Sequence, residues 1–111
     1  MKTPRLNRKL VLEELLRVPD AMGGFTESWI SKGALWANLE SRGGAEQQLG
    51  ARTVSVSKFR VITRAAPFGA DSRPRPDQRF REGGRTFDIL AVGEYDEAGR
   101  YLEIWAEEGR L

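Results

Sequence analysis

The sequence predicts an all-β fold, either an antiparallel sandwich or a small barrel with five or six strands. Three observations lead to this prediction: several segments alternate apolar and polar residues, glycine and proline turns separate them, and strands do not alternate with helices as they do in α/β folds. With 111 residues, the chain is expected to form one domain over residues 1–111, because so short a chain builds one modest core.

The most regular pattern is a β-hairpin from Arg85 to Glu108, in which two β-prone runs flank the turn Asp96–Gly99. If Tyr95 faces Arg100, large residues face small ones on one side of this hairpin, and its other side is amphiphilic. Both sides are therefore expected to contact other surfaces. The predicted register contains the pairs Gly93–Leu102, Ala91–Ile104, Ile89–Ala106, Leu90–Trp105, Val92–Glu103 and Glu94–Tyr101.

The first part of the chain contains one ambiguous segment and one clear strand. Residue types between Leu6 and Val18 favour a helix when taken alone, although the apolar positions also fit the alternation of a strand. Pro19–Gly24 supplies a turn. Phe25–Glu40 then carries apolar residues at both odd and even positions, which point to opposite faces of a strand. This pattern predicts a long, bent strand with a bulge or bend at Gly33.

The region after this strand is poor in large apolar residues. Ser41–Thr53 is expected to form a long loop or a short helix, because it is longer than an ordinary hairpin loop. Val54–Arg64 alternates apolar and polar residues well, but the apolar residues change from even to odd positions between Val56 and Phe59. This change predicts a bulge near Ser57 and Lys58. These segments predict a third strand that is reached through a long connection.

Proline, glycine and arginine dominate the next region. Ala65–Pro76 holds three prolines and few core candidates, so it is expected to be an exposed connection. Gln78–Arg81 is expected to be a short edge strand, and the Gly83–Gly84 turn leads from it into the hairpin.

The composition excludes most common catalytic and metal sites. The chain has no cysteine and no histidine, which removes disulfides, thiolate nucleophiles, imidazole bases and the usual zinc ligands. The glycine doublets match no phosphate-binding motif, and the acidic pairs Asp96–Glu97 and Glu107–Glu108 are expected to be solvated. We therefore expect a protein that is not an enzyme and that uses no metal or cofactor.

No targeting signal or membrane-spanning segment is expected. The N-terminus is basic, but Glu13 and Glu14 interrupt the apolar run that follows, unlike in a signal peptide. No apolar run approaches the length that spans a membrane. The chain is expected to be made and kept in a cytoplasm-like compartment.

Charge is unevenly distributed along the chain, although the formal net charge is only +2. Residues 58–85 contain eight basic and three acidic residues, a local net charge of +5, whereas residues 94–108 have a local net charge of −5. The basic segment is expected to contact nucleic acid, to contact the acidic hairpin segment 94–108 of a neighbouring subunit as its complementary face, or to be a solvated face. Its candidate contact residues are Lys58, Arg60, Arg64, Arg73, Arg75, Arg79 and Arg81.

Several short motifs occur in a distinctive order along the chain. They are Leu6–Arg8, Asp20–Trp29, Leu35–Leu39, Glu46, Phe59–Arg64, Arg85–Ile89 and Leu102–Glu108. Together they resemble the head-tail adaptor, or head-closure (stopper), family of long-tailed bacteriophages and gene transfer agents, and the resemblance covers nearly the whole chain. The chain departs from the family pattern at residues 65–80, where it carries a proline-rich insertion.

The resemblance implies a small antiparallel β-barrel of about six strands, and it favours a strand for the first segment. It implies a homo-oligomeric ring, a hexamer or a dodecamer, that joins the portal and adaptor proteins to the tail terminator and continues the channel for double-stranded DNA. Such a subunit would work at the head-tail junction of a virion or phage-like particle that assembles in the bacterial cytoplasm.

The resemblance also implies where the function resides. In this family the long loop between the second and third strands projects into the channel and helps to retain packaged DNA, which corresponds to Arg42–Val56. The loop residues of this gate would be Arg42, Gly43, Gly44, Glu46, Gln47, Gln48, Gly50 and Arg52. Contacts with ring neighbours or partner proteins are expected from Leu90, Glu94, Tyr101, Glu103 and Trp105 of the hairpin.

Two functional hypotheses result. The first is a non-enzymatic connector subunit that assembles a ring and gates the DNA channel. The alternative is a free nucleic-acid-binding β-barrel that uses the basic segment 58–85.

Overall fold

The computed structural model describes residues 3–110, apart from the side chains of residues 45, 47, 49, 54, 109 and 110. Its six antiparallel strands are joined in the order β1-β2-β3-β6-β5-β4 and close into a barrel. This architecture confirms the all-β prediction and the barrel that the resemblance implies. The strands are β1 (Arg8–Pro19), β2 (Phe25–Leu49), β3 (Arg52–Arg64), β4 (Arg79–Glu82), β5 (Arg85–Glu94) and β6 (Tyr101–Arg110).

One apolar core fills the barrel. Successive residues of a strand point to opposite faces, so alternate residues of each strand reach the interior. Phe80 and Phe87 are the largest fully buried side chains, and the rings of Phe59 and Phe87 meet nearly at right angles with centroids 5.1 Å apart. The other buried core residues are Leu10, Leu12, Ala37, Val61, Ile89, Leu102, Ile104 and Ala106.

β1 is a strand, not the helix that its residue types favour when taken alone. Its pairing with β2 places Leu10 and Leu12 in the core, where both side chains are at most 1% exposed. The same strand also pairs with β4, so a helix at this position would leave the barrel open. Tertiary pairing overrides the local helix propensity, as the resemblance to the phage family implied.

β2 is the longest strand, and it bends. Its 25 residues would span about 80 Å if they were straight, whereas the longest dimension of the molecule is 52 Å. Gly33 adopts a φ angle of 114°, and Lys32 is an extra residue opposite the Leu12–Glu13 step of β1. The prediction of a long strand with a bulge at Gly33 is therefore confirmed, although β2 continues further than predicted, to Leu49.

Residues 41–53 form neither a long loop nor a short helix. β2 and β3 stay paired as far as the Leu49–Arg52 rung, and Gly50 and Ala51 form the turn between them. This extension of the β2–β3 hairpin, residues 41–57, is called the arm below. The prediction failed because the segment has few apolar residues, whereas its pairing depends on backbone hydrogen bonds that any of these residue types can make.

The arm begins at a bulge in β2. The register shifts between Ser41 and Gly44, where Gly43 has a φ angle of 96°. The sequence predicted this irregularity in β3, at residues 57–58. The extra residue lies instead on the partner strand, because β3 keeps an unbroken register with β6.

The β5–β6 hairpin is confirmed, but its predicted register holds only at Ile89, which pairs with Ala106. A bulge at Leu90 then shifts the register by one residue. The turn is correspondingly one residue longer than predicted, and in it the Asp96 carboxylate accepts hydrogen bonds from the backbone N–H groups of Arg100 and Tyr101. The predicted pairs Gly93–Leu102, Ala91–Ile104, Leu90–Trp105, Val92–Glu103 and Glu94–Tyr101 are wrong; the observed pairs are Ala91–Trp105, Val92–Ile104, Gly93–Glu103 and Glu94–Leu102.

β4 closes the barrel by pairing with β1 on one side and β5 on the other, so it is not the edge strand that the sequence predicted. Phe80 lies in the core at the centre of this short strand. On the outer face, the Nε atoms of Arg79 and Arg81 lie 2.8 and 2.9 Å from the Glu13 carboxylate. Closure thus combines one buried aromatic ring with an ion-pair cluster on the opposite face of the same strand.

The Glu13 cluster is expected to make stability depend on pH. Burial alone would raise the pKa of Glu13, but hydrogen bonds from Arg81 and Arg79 outweigh burial and hold this pKa below its ordinary value of 4.5. A carboxylate whose pKa is lowered on folding stabilises the fold above that ordinary value, and the contribution disappears as the pH falls through the lowered pKa.

We therefore expect Glu13→Gln to lower the free energy of unfolding by about 1–3 kcal/mol at neutral pH, and to change it little in strong acid. Urea unfolding at both pH values measures the difference. Glu27→Gln is the matched control, because Glu27 and its partner Arg17 are largely exposed and the pair contributes about 0.5 kcal/mol or less. An equal loss for Glu13→Gln at neutral and acid pH would contradict this account.

Candidate functional site

The arm projects from the barrel and makes the molecule elongated. The radius of gyration is 15.5 Å, whereas a compact domain of this length has one of about 13 Å. Beyond the bulge, the paired positions run from Gly44–Ser57 to Leu49–Arg52, which extends the arm by roughly 17–20 Å. The arm therefore reaches well past the apolar core.

Small and polar residues make up most of the arm. A Cβ atom at Gly44 would come within 3.3 Å of the backbone oxygen of Val56, so the two strands approach closely where the arm leaves the barrel. The structure brings the predicted gate residues together on this one projection. The exposed ones are Arg42, Gly43, Gly44, Glu46, Gln48, Gly50 and Arg52, while the side chain of Gln47 lies outside the described residues.

The base of the arm is supported by β6. Ser55 and Val56 pair with Arg110 and Gly109, so a third strand runs beside β3 where the arm begins. Val56 is only 5% exposed. Closer to the tip, the described ladder consists of β2 and β3. The barrel therefore fixes the direction of the arm, and the tip is its least supported part.

The basic segment does not form an open cationic patch, because most of its side chains pair with carboxylates of the same chain. Across the β3–β6 ladder, Lys58 lies 2.6 Å from Glu107. Arg60 lies 2.6 Å from Glu40 and 3.4 Å from Glu103. Further pairs join Arg75 to Glu14, Arg79 and Arg81 to Glu13, and Arg85 to Glu108.

This pairing changes the interpretation of the two charged segments. The +5 and −5 segments suggested complementary faces of neighbouring subunits, but β3 lies beside β6 and their charges largely compensate each other within one chain. A hydrogen bond to Glu40 raises the pKa of Arg60, and the same bond lowers the pKa of Glu40. Charge at these positions therefore supports the barrel, and the case for a DNA-binding face is weakened.

Arg64 and Arg73 differ from the other basic residues. Arg73 donates a hydrogen bond of 2.9 Å to the backbone oxygen of Ala66, and its guanidinium lies 3.9 Å from the ring centroid of Phe68. The connection that carries Arg73 is exposed only in part, since Pro74 is fully buried. Arg64 is exposed at the end of β3, with no described carboxylate within 4.0 Å.

The outer face of the β5–β6 hairpin keeps two large apolar residues exposed. Leu90 is 45% exposed and Trp105 is 36% exposed. The guanidinium of Arg42 lies 6.0 Å from the Trp105 ring centroid, which links this face to the base of the arm. Of the other predicted contact residues, Glu103 pairs with Arg60, Tyr101 packs edge-to-face on Tyr95, and Glu94 is exposed.

Sequence reasoning missed a second projection, the distal part of the β1–β2 hairpin. β1 meets β4 only at Val11–Glu13, and β2 meets β3 only from Ala37 onward. Residues 14–30 therefore form a two-stranded ribbon, which is called the apolar ribbon below. Its exposed large apolar residues are Leu15, Leu16, Val18, Met22, Phe25 and Ile30.

One face of the apolar ribbon continues the inner face of the barrel. Along β1, Leu10 and Leu12 point into the core, and by strand alternation Leu16 and Val18 lie on the same side. The ribbon thus carries a core-like face past the end of the core. Leu15 and Leu16, which are adjacent and both apolar, were the available signal in the sequence, because adjacent strand residues point to opposite faces.

Among the residues that the structure describes, no group of three or more histidine, cysteine, aspartate or glutamate residues could hold a metal ion. In the same part of the chain, no helix is long and apolar enough to cross a membrane.

Removing the Arg60 side chain is expected to affect folding. Arg60 bridges Glu40 and Glu103, and its side chain is 23% exposed. Arg60→Ala is expected to lower the free energy of unfolding by about 1–2 kcal/mol, because Glu103 loses its described cation and Glu40 keeps only Arg42. Arg64→Ala, the control in the same strand, is expected to change it by less than about 0.5 kcal/mol. Urea unfolding of both variants tests this, and equal effects would contradict the structural role of Arg60.

Comparisons with known proteins agree with this architecture. The model of the phage head completion protein family matches residues 1–109. A chain from the virion of a native gene transfer agent particle is 49% identical, with a TM-score of 0.87 over 97% of this chain and 98% of that chain. Protein SF1141 from Shigella flexneri 2a, at 22% identity, shares the fold alone: its TM-score is 0.68 over 97% of this chain and 96% of its own.

No curated protein gives a significant match. The family model nevertheless covers almost the whole chain, and the gene transfer agent chain matches along nearly its full length. The resemblance noted from the short motifs is therefore confirmed, and this chain belongs to the phage head completion protein family.

Proposed function

We propose that this protein is a structural subunit that closes the head of a phage or gene transfer agent particle, where copies of it form a ring at the head-tail junction. Membership of the head completion family supports the structural role, and the gene transfer agent relative comes from a virion. The ring, of six or twelve copies, continues the DNA channel between the portal and adaptor proteins and the tail terminator. Assembly takes place in the bacterial cytoplasm, and the protein performs no catalytic step.

The arm carries this proposal. A hairpin that extends roughly 17–20 Å beyond the bulge, from Gly44–Ser57 to Leu49–Arg52, reaches further than the folded core requires. Ordering the backbone of such an extension costs conformational entropy. In its described part only Val56, at the base, is buried, so we infer that the value of the extension lies in what it contacts. In a ring, one arm from each subunit would point toward the axis, and the set of arms would narrow the channel.

The side chains of the arm suit a gate that works by obstruction. A strongly basic lining would bind duplex DNA tightly through its phosphates and would hinder passage. Here the exposed charges are mixed: Arg42 is paired with Glu40 at 3.1 Å, and Glu46 and Arg52 have opposite signs. The arms would let DNA pass during packaging and would retain it afterwards by occupying the channel.

Ring assembly would use apolar surfaces, because many charges are already paired within the chain. A closed ring joins two different faces of each subunit. The apolar ribbon belongs to β1 and β2, and the exposed pair Leu90 and Trp105 belongs to β5 and β6. These strand pairs lie on opposite sides of the barrel order, with β3 and β4 between them. That placement suits contacts with two neighbours.

The alternative, a free nucleic-acid-binding barrel, is less well supported. It depends on the basic segment 58–85, and most of that segment is engaged with carboxylates. Arg52 and Arg64 are exposed but lie at opposite ends of β3.

A shortened arm tests the proposal directly. Deleting Gln47, Gln48, Thr53 and Val54 together removes two paired positions, keeps the turn and leaves every remaining side chain on its original face. We expect a folded barrel and particles that assemble but lose packaged DNA, because the arms no longer meet across the channel. DNA retained per particle is measured by nuclease protection.

The control for this deletion is Gln48→Ala, which changes an exposed side chain at full arm length. It should leave DNA retention close to the wild-type level. If the shortened arm retains as much DNA as the wild type in normally assembled particles, the arm is not the gate.

A further inference from the structure

An unexplained groove lies where the chain enters β1 and where β3 ends. The main part, of about 480 Å³, is lined by Thr3, Pro4, Leu6, Trp36, Arg64 and Tyr101. An adjoining cavity of about 270 Å³ shares Leu6, Trp36 and Arg64 and adds apolar wall from Leu35, Ala65 and Ala66. The two form one surface depression with an apolar floor and a cation at its side. Neither the core nor the arm accounts for it.

Trp36 is the central feature of this groove. It points outward, since its neighbours Leu35 and Ala37 pack toward the core, and it is 56% exposed. A large aromatic side chain that is half exposed beside apolar residues favours burial against a partner. Trp, Tyr and Arg are the residue types that contribute most to binding energy in protein interfaces, and Trp36, Tyr101 and Arg64 line this depression together.

The charges around the groove are unusual for this molecule. Most described basic side chains pair with a carboxylate. Arg79 and Arg81 pair with Glu13, for example, and Arg60 pairs with Glu103. Arg64, which lines the groove, has no described carboxylate within 4.0 Å, and the same is true of Arg5 and Lys9, which lie near the groove but do not line it. Lys9 lies directly across the ladder from Trp36, and Arg5 is joined to β2 through its backbone oxygen. The groove therefore combines an apolar floor with uncompensated positive charge.

We propose that this groove binds an acidic segment of a neighbouring protein in the particle. An apolar or aromatic side chain of that segment would pack against Trp36, and its carboxylates would pair with Arg64 and Lys9. The inference relies on the proposed function only in placing such a neighbour in the particle. Charge complementarity makes the contact specific, and it speeds association more than it adds affinity.

Duplex DNA fits the same surface less well. Its phosphates could meet Arg64 and Lys9, but its bases are stacked and paired, so they offer no free face to Trp36. A phosphate backbone would make no favourable apolar contact with the wall formed by Leu6 and Ala65. A protein segment uses both the apolar floor and the cations.

Selection from a random displayed peptide library tests the proposal on the isolated full-length chain. We expect enriched peptides with aspartate or glutamate around an aromatic or branched apolar residue. Their affinity should fall about tenfold or more with Trp36→Ala. It should also fall with Arg64→Glu, because the reversed charge repels the acidic peptide, and it should weaken as salt is raised. Trp36→Leu should retain part of the binding, which separates the loss of a contact from misfolding.

Two control variants lie outside the groove. Phe68→Ala removes another exposed aromatic residue, and Arg52→Glu reverses a charge on the arm. Both should bind the selected peptides like the wild type. Enrichment of neutral or basic peptides, no enrichment, or binding that is unchanged by Trp36→Ala would overturn the proposal. Binding of a short DNA duplex that is lost with Trp36→Ala and Arg64→Glu would assign the groove to DNA instead.

The result of the peptide-binding experiment does not depend on whether the arm gates the DNA channel. Peptide binding is measured on the isolated chain, whereas the arm deletion is scored by DNA retention in particles. Failure of one therefore leaves the other intact.

Discussion

Closure of the sheet by β4 is the interaction on which the rest of the structure depends. Four residues join β1 to β5, with Phe80 in the core and the Glu13 cluster outside. Without this short strand the sheet would end in two open edges, at β1 and β5, and the core side chains would lie on an uncovered face. The closed barrel is the rigid body from which both projections extend.

The long strand β2 contributes to each of the surfaces for which a function is proposed. One end forms the apolar ribbon with β1, its middle carries Trp36 beside the groove, and its other end forms the arm with β3. Gly33 and Gly43 are the two places where this strand leaves regular geometry, because both adopt positive φ angles. In the proposed ring, a single strand would connect the subunit contact to the channel.

The sequence predicted the elements more reliably than their connections. Alternation identified the β5–β6 hairpin, the long bent β2 and the strand after it. It failed in the polar arm, where backbone pairing is enough to form strands, and in the β5–β6 hairpin, where a bulge at Leu90 shifts the register.

Charge counts along the chain suggested intermolecular faces. Sheet order, which pairs Lys58 with Glu107, could not be read from those counts. The candidate gate residues come from the family resemblance and not from their composition.

In the proposed assembly, the arms of a ring of these subunits line the DNA channel at the head-tail junction. Electron cryomicroscopy of assembled particles would locate the arms. We expect a ring of this barrel below the portal, with residues 42–56 of each copy directed toward the axis and next to the DNA density. Arms on the outer surface of the particle, or absence of the protein from the junction, would contradict it.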